Sequence, residues 1–173
     1  MFYHNGYCKL FAEGDELKSI IFEGWKIEID KEKTKNYYSE LYREGLRECC
    51  SDCRNYYYGI RHLPKVFIEF LESLFIVPET PIGAYKLDKI ADNIFLYDVN
   101  YLISGNILEK PDNAETVSAN GNKAFKTSTL TDEVEFYFTK ELHPSLRNLS
   151  GYESYFELQL FCEIPWVIDE PYE

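Results

Sequence analysis

The chain has 173 residues, 45% hydrophobic and 17% aromatic, enough to build one full core and too apolar for a disordered segment. Its formal net charge is −12, from 30 acidic against 18 basic residues, a balance that repels phosphate backbones and anionic lipid. Nucleic acid and membrane are therefore disfavoured as partners, and a basic protein is the partner the charge suits.

The start, Met1 to Gly6, lacks the basic residues and apolar run of a signal peptide. Tyr7 to Ala12 and Leu17 to Glu23 read as strands around a turn at Glu13-Gly14-Asp15. Trp25, Ile27 and Ile29 alternate with Lys26, Glu28 and Asp30, the period of a strand with one buried face. Asp30 then suits a helix N-cap, its carboxylate accepting from the first free amides. Tyr37, Tyr38, Leu41, Tyr42 and Leu46 follow at helical spacing. A break at the cysteines leads to a helix over 54–61, where Tyr57 and Ile60 share a face. Pro64 suits the first turn of another helix, with Val66, Phe67, Phe70, Leu71 and Leu74 as its apolar side and Pro78 and Pro81 beyond its end. The most apolar window, Phe67 to Val77, is about half the roughly 20 residues a membrane-spanning helix needs.

Strands resume at Tyr85 to Leu87 and Ile94 to Leu108, separated by a polar turn over 88–93. In the second, Phe95, Tyr97, Val99, Tyr101, Ile103 and Ile107 share one parity. Residues 112–123 read as a loop. Val134, Phe136 and Phe138 alternate with polar neighbours, and Phe156, Leu158, Leu160, Cys162 and Ile164 form the most regular alternation of all. The expected architecture is one α+β domain over residues 1–173. It has a mainly antiparallel, twisted sheet and a helical insert, about residues 30–76, packed on one face.

Five cysteines, Cys8, Cys49, Cys50, Cys53 and Cys162, are an odd number with no disulfide-framework spacing, which fits a reducing cytoplasm. Cys50 and Cys53 stand at C-x2-C spacing, which lets two thiolates reach one zinc ion from a tight turn. Closing that site needs two more ligands, from Cys49, His62, Cys8 or elsewhere. The same pair suits redox chemistry at a helix start, although Asp52 between them opposes a thiolate. The plainest reading is that one or two of them pack as small hydrophobes where helices meet. His4, His62 and His143 share no spacing, and no hydrolase elbow, phosphate loop or dinucleotide fingerprint occurs. Asp98 comes nearest to a carboxylate in an apolar setting, between Tyr97 and Val99, yet a bulge presenting Asp98 and Asn100 to solvent is the simpler expectation.

Two surfaces suit a binding role. After Arg147 the chain has no Lys or Arg, while Glu153, Glu157, Glu163, Asp169, Glu170 and Glu173 follow. Glu157 and Glu163 lie on the polar parity of their strand, as an exposed acidic face requires. Tyr56-Tyr57-Tyr58 presents tyrosine on at least one open side of a helix. The function expected is thus a non-catalytic domain with an acidic surface for a basic protein. The alternative is a metal-binding domain or enzyme using Cys49, Cys50 and Cys53.

The element from Cys50-x2-Cys53-Arg54-Asn55-Tyr56 to Leu63-Pro64, with the close Ile164-Pro165-Trp166-Val167-Ile168-Asp169-Glu170-Pro171, resembles an uncharacterised family of small acidic proteins from low-GC Gram-positive bacteria. The resemblance runs from about Trp25 onward. It implies a bacterial cytoplasmic origin and carries no activity with it.

Overall fold

The computed structural model describes residues 17–41, 50–117, 119–121, 123–143, 146 and 154–172. The strand expected over 7–12 and the turn after it lie outside these residues. Chain order gives β1 (Leu17–Phe22), β2 (Trp25–Asp30), α1 (Lys31–Leu41), α2 (Ser51–Gly59), α3 (Lys65–Ser73), β3 (Gly83–Ala91) and β4 (Ile94–Glu109). Then follow β5 (Glu115–Val117), β6 (Lys123–Phe125), β7 (Ser128–Thr131), β8 (Val134–Thr139) and β9 (Tyr155–Pro165).

The seven-stranded antiparallel sheet has the order β1-β2-β4-β9-β8-β7, with β3 also paired to β4. Strand β4, 16 residues long, organises it. One edge of β4 pairs with β3 along its first half and with β2 along its second, while its other edge pairs with β9. Beta alternation then sorts the side chains. Tyr97, Val99, Tyr101 and Ile103 of β4 are fully buried, as are Leu158, Leu160, Cys162 and Ile164 of β9. Phe136 of β8, Phe22 of β1 and Phe70 of α3 close on one another with ring centroids 5.1–5.5 Å apart. The result is an aromatic core.

Helix α1 starts where the capping residue predicts, with the Lys33 amide donating to Asp30 Oδ1 at 2.9 Å. Its buried Tyr38 hydroxyl donates to the Leu102 carbonyl at 2.9 Å. Helix α2 begins earlier than expected, at Ser51, and buries Asn55, Tyr56 and Gly59 rather than Tyr57. Gly59 is required there, because a Cβ would sit 2.5 Å from Ile164 Cγ2. Pro64 caps α3 from outside its first turn, and Val66 is exposed while Ile68 turns inward.

At Gly105, φ is +142°, and a Cβ would fall 1.9 Å from the Glu28 carbonyl oxygen, so β2 meets β4 only across a glycine. The polar turn expected over 88–93 shrinks to the tip of a β3–β4 hairpin, and Asn93 takes a positive φ of 62° there. The loop expected over 112–123 holds part of a two-stranded β5–β6 hairpin, whose Phe125 stacks on Tyr137 with centroids 4.7 Å apart. Among the described residues no helix is long and apolar enough to cross a membrane.

Candidate functional site

The polar parity of the central strands does not simply face water. It floors a cavity of about 410 Å³ lined by Tyr85, Asp98, Asn100, Glu157, Gln159 and the segment Glu141-Leu142-His143. Register explains the assembly. Tyr85 of β3 lies opposite Asp98 of β4, and Asn100 lies opposite Gln159 of β9. Glu157 is two residues from Gln159 and so points the same way, opposite Thr139 at the end of β8. The chain leaving β8 then folds back over the sheet as the cavity wall.

Hydrogen bonds fix the floor. Asn100 Nδ2 donates to Gln159 Oε1 at 2.5 Å and to Glu157 Oε2 at 3.3 Å. Gln159 Nε2 donates to Asp98 Oδ1, and the His143 backbone amide donates to Glu157 Oε1. Above them the Tyr85 and His143 rings stack with centroids 6.1 Å apart, their hydroxyl and Nε2 at 3.3 Å.

Electrostatics mark the site further. Glu157 is 1% exposed, and burial pushes its carboxyl up to about 6, despite the opposing bonds from His143 and Asn100; the Asp98 charge adds to the rise. Burial likewise raises Asp98, opposed by the Gln159 bond and by His143. Tyr137, opposite Gln159 on β8, is pushed up to about 12, first by burial and then by the charges of Asp98, Glu157 and Glu141. Among the described residues three carboxylates and no Lys or Arg line the cavity; Glu141 is ion-paired with Lys123, so Asp98 and Glu157 give the site a field that favours a cation. A carboxyl group held near 6 is also in the range useful for moving a proton near neutral pH.

Several sequence expectations change here. Asp98 and Asn100 lie in regular strand, with Asn100 buried and Asp98 half-buried, because the segment after β8 covers their face. Glu157 is not part of an exposed acidic face, for the same reason. Glu163 is half-buried, and Glu170 is engaged by a bidentate ion pair with Arg54. Glu153 and Glu173 lie outside the described residues. The tyrosine run is split: Tyr56 is fully buried, its hydroxyl paired with that of Tyr101, whereas Tyr58 is exposed.

Cys50 and Cys53 do come together, their Sγ atoms 3.4 Å apart at the start of α2. Cys50 is exposed and Cys53 half-exposed, so neither is packed as a small hydrophobe between helices, while Cys162 is fully buried in β9. Cys8 and Cys49 lie outside the described residues. Among the described residues no group of three or more His, Cys, Asp or Glu side chains is placed to hold a metal ion. His62 is exposed at the end of the short 3-10 turn after α2.

No family model matches the chain, and neither a curated protein nor a solved structure matches it.

Proposed function

We propose that the chain is a non-catalytic binding domain that takes a cationic side chain of a basic protein partner, an arginine in particular, into the cavity between β3, β4 and β9. The observation that carries this reading is a concave site whose described lining includes Asp98, Glu141 and Glu157 and no Lys or Arg, in a chain of net charge −12. A planar guanidinium suits it. Asp98 and Glu157 are carboxylates for paired N–H donors, and the Tyr85–His143 stack supplies an aromatic wall. The volume, about 410 Å³, falls within the usual range for small sites.

Two further points belong to the same reading. We read the described helices over 31–41 and 51–73 as the cover of the opposite sheet face, a reading supported by the contacts of Tyr56 with Tyr97 and Phe70 with Phe136. A bacterial cytoplasmic setting is supported by the sequence resemblance and by the cysteine pattern.

Titration of the protein with an arginine-containing peptide and its glutamine counterpart, followed by NMR chemical shifts, tests the proposal. Shifts at Tyr85, Asp98 and His143 are expected with the arginine peptide only, and Asp98→Asn should weaken binding by about tenfold. Raised salt should weaken it further. Equal binding of the two peptides, or binding indifferent to Asp98→Asn, overturns it.

A further inference from the structure

A second group of reactive side chains lies at the start of α2, away from the cavity. Cys50 occupies the N-cap position, and its carbonyl accepts the first helical bond from the Arg54 amide at 3.0 Å. Cys53 is three residues on, in the first turn, so the two side chains meet on one face of the helix with 3.4 Å between sulfurs. Helix α2 is nine residues long, and its first amides carry the positive end of the helix dipole toward Cys50.

The residues around the pair are held in place. The Tyr97 hydroxyl donates to the Asp52 carbonyl at 3.2 Å, and Asn55 ties the same turn to Pro165 and Val167. Asp52 opposes a thiolate in the sequence, yet its carboxylate is answered by Lys86 Nζ at 2.9 Å. Lys86 is in turn seated over the rings of Phe95 and Trp166, at 5.3 and 5.1 Å. Arg54 adds a cation one residue after Cys53, paired with Glu170. The Cys53 amide, as the largest influence, holds the Cys50 thiol below its usual value. The Cys53 side chain and the Asp52 amide act the same way, against partial burial and the Asp52 charge.

We infer that Cys50 and Cys53 form a thiol–disulfide exchange site, with Cys50 as the attacking sulfur and a low-molecular-weight disulfide as its substrate. The Cys50 thiolate attacks one sulfur of the disulfide. A bond from Cys50 Sγ to that sulfur forms, the substrate S–S bond breaks, and the leaving thiolate takes the electron pair and a proton from water. Cys53 then loses its proton to water and attacks Cys50 Sγ, expelling the second substrate thiolate. Two protein thiols are oxidised to one disulfide, and the substrate disulfide is reduced to two thiols. Exposure of Cys50 gives the substrate access, and the position of Cys53 one helical turn along makes it the resolving group.

The test uses the full chain carrying Cys49→Ala, so that a disulfide in this region has one assignment, with glutathione disulfide as the probe. Acid-quenched samples are alkylated and sequenced by tandem mass spectrometry. A Cys50–Cys53 disulfide with release of two glutathione thiols is expected. Adding Cys53→Ser should trap a stable mixed disulfide on Cys50, and adding Cys50→Ser should slow adduct formation at Cys53 by at least about tenfold. Equal trapping at either cysteine overturns the assigned order. A Cys49→Ala protein that keeps both thiols alkylatable, or halts at the mixed disulfide, overturns the exchange site altogether. Circular dichroism of each variant separates these results from loss of fold.

Discussion

Glu157 gives the sharpest test of the cavity, because its cost to the fold can be worked out. The group titrates at 4.5 when unperturbed and at about 6 in the folded chain. At roughly 1.4 kcal/mol per pH unit, that difference corresponds to about 2 kcal/mol. The sign follows from which state holds the proton. Folding raises the proton affinity, so Glu157 contributes its full stability below pH 4.5 and loses it as pH rises through 6. Glu157→Gln removes the titration while leaving a carbonyl oxygen for the His143 amide, but it sets an NH2 group against Asn100 Nδ2 in place of Oε2, a lost bond that costs about 1 kcal/mol at any pH. Urea unfolding of both proteins at several pH values between 4 and 8 isolates the group, since every other titration nearly cancels in the difference. Relative to wild type, the Gln variant should be about 1 kcal/mol less stable at the acid end and about 1 kcal/mol more stable at the neutral end. A difference that stays flat, or runs the other way, would refute the reasoning.

Other substitutions probe the frame that holds both sites. Leu158→Ala or Leu160→Ala, each at 0% exposure in β9, should cost about 2–5 kcal/mol in thermal or urea melts. Gly105→Ala should cost more than about 4 kcal/mol or prevent folding, because its Cβ would collide with the Glu28 carbonyl across the β2–β4 pairing. Asn55→Ala strips the bonds to Tyr97, Pro165 and Val167 and should cost about 1–3 kcal/mol in the same melts, with the C-terminal segment exchanging its amides faster. A gel-shift assay should find no salt-sensitive binding to DNA or RNA, as the charge of −12 requires.

The inner face of the sheet was legible because its signal is local. Alternation in β4 and β9 names the buried residues one by one, and every residue of the Phe156-to-Ile164 set is fully buried. Asp30 marked the start of α1 for a similarly local reason, since a capping carboxylate acts within three residues. Helix α2 was harder. Three consecutive tyrosines carry no period, and the inward side is decided by Asn55 and Gly59, a polar residue and one without a side chain. Their reasons for burial are contacts more than a hundred residues away in sequence, at Pro165 and Ile164. The cavity was illegible in the same sense. Polar parity says that Asp98, Asn100, Glu157 and Gln159 leave the core, but nothing local says that Glu141-Leu142-His143 will fold over them. The one trace was Asp98 and Asn100 standing in the middle of an apolar strand, with Glu157 and Gln159 repeating the pattern in its partner.

Strand β3 is where the two proposed sites meet, and its alternation explains why they do not interfere. Tyr85 stands toward the cavity, against His143 and opposite Asp98. Lys86, its neighbour, stands toward α2, where it answers Asp52 between the two cysteines. One strand therefore supplies an aromatic wall for a cation on one side and a cation for the Asp52 carboxylate on the other. The electrostatics are opposite in sign, and the thickness of the sheet separates them. The cavity collects carboxylates that burial makes costly, while the start of α2 collects amides that favour a negative sulfur and a lysine that answers Asp52. In this acidic chain Glu157 is buried and the Asp52 carboxylate is neutralised by Lys86. Each lies at a proposed site.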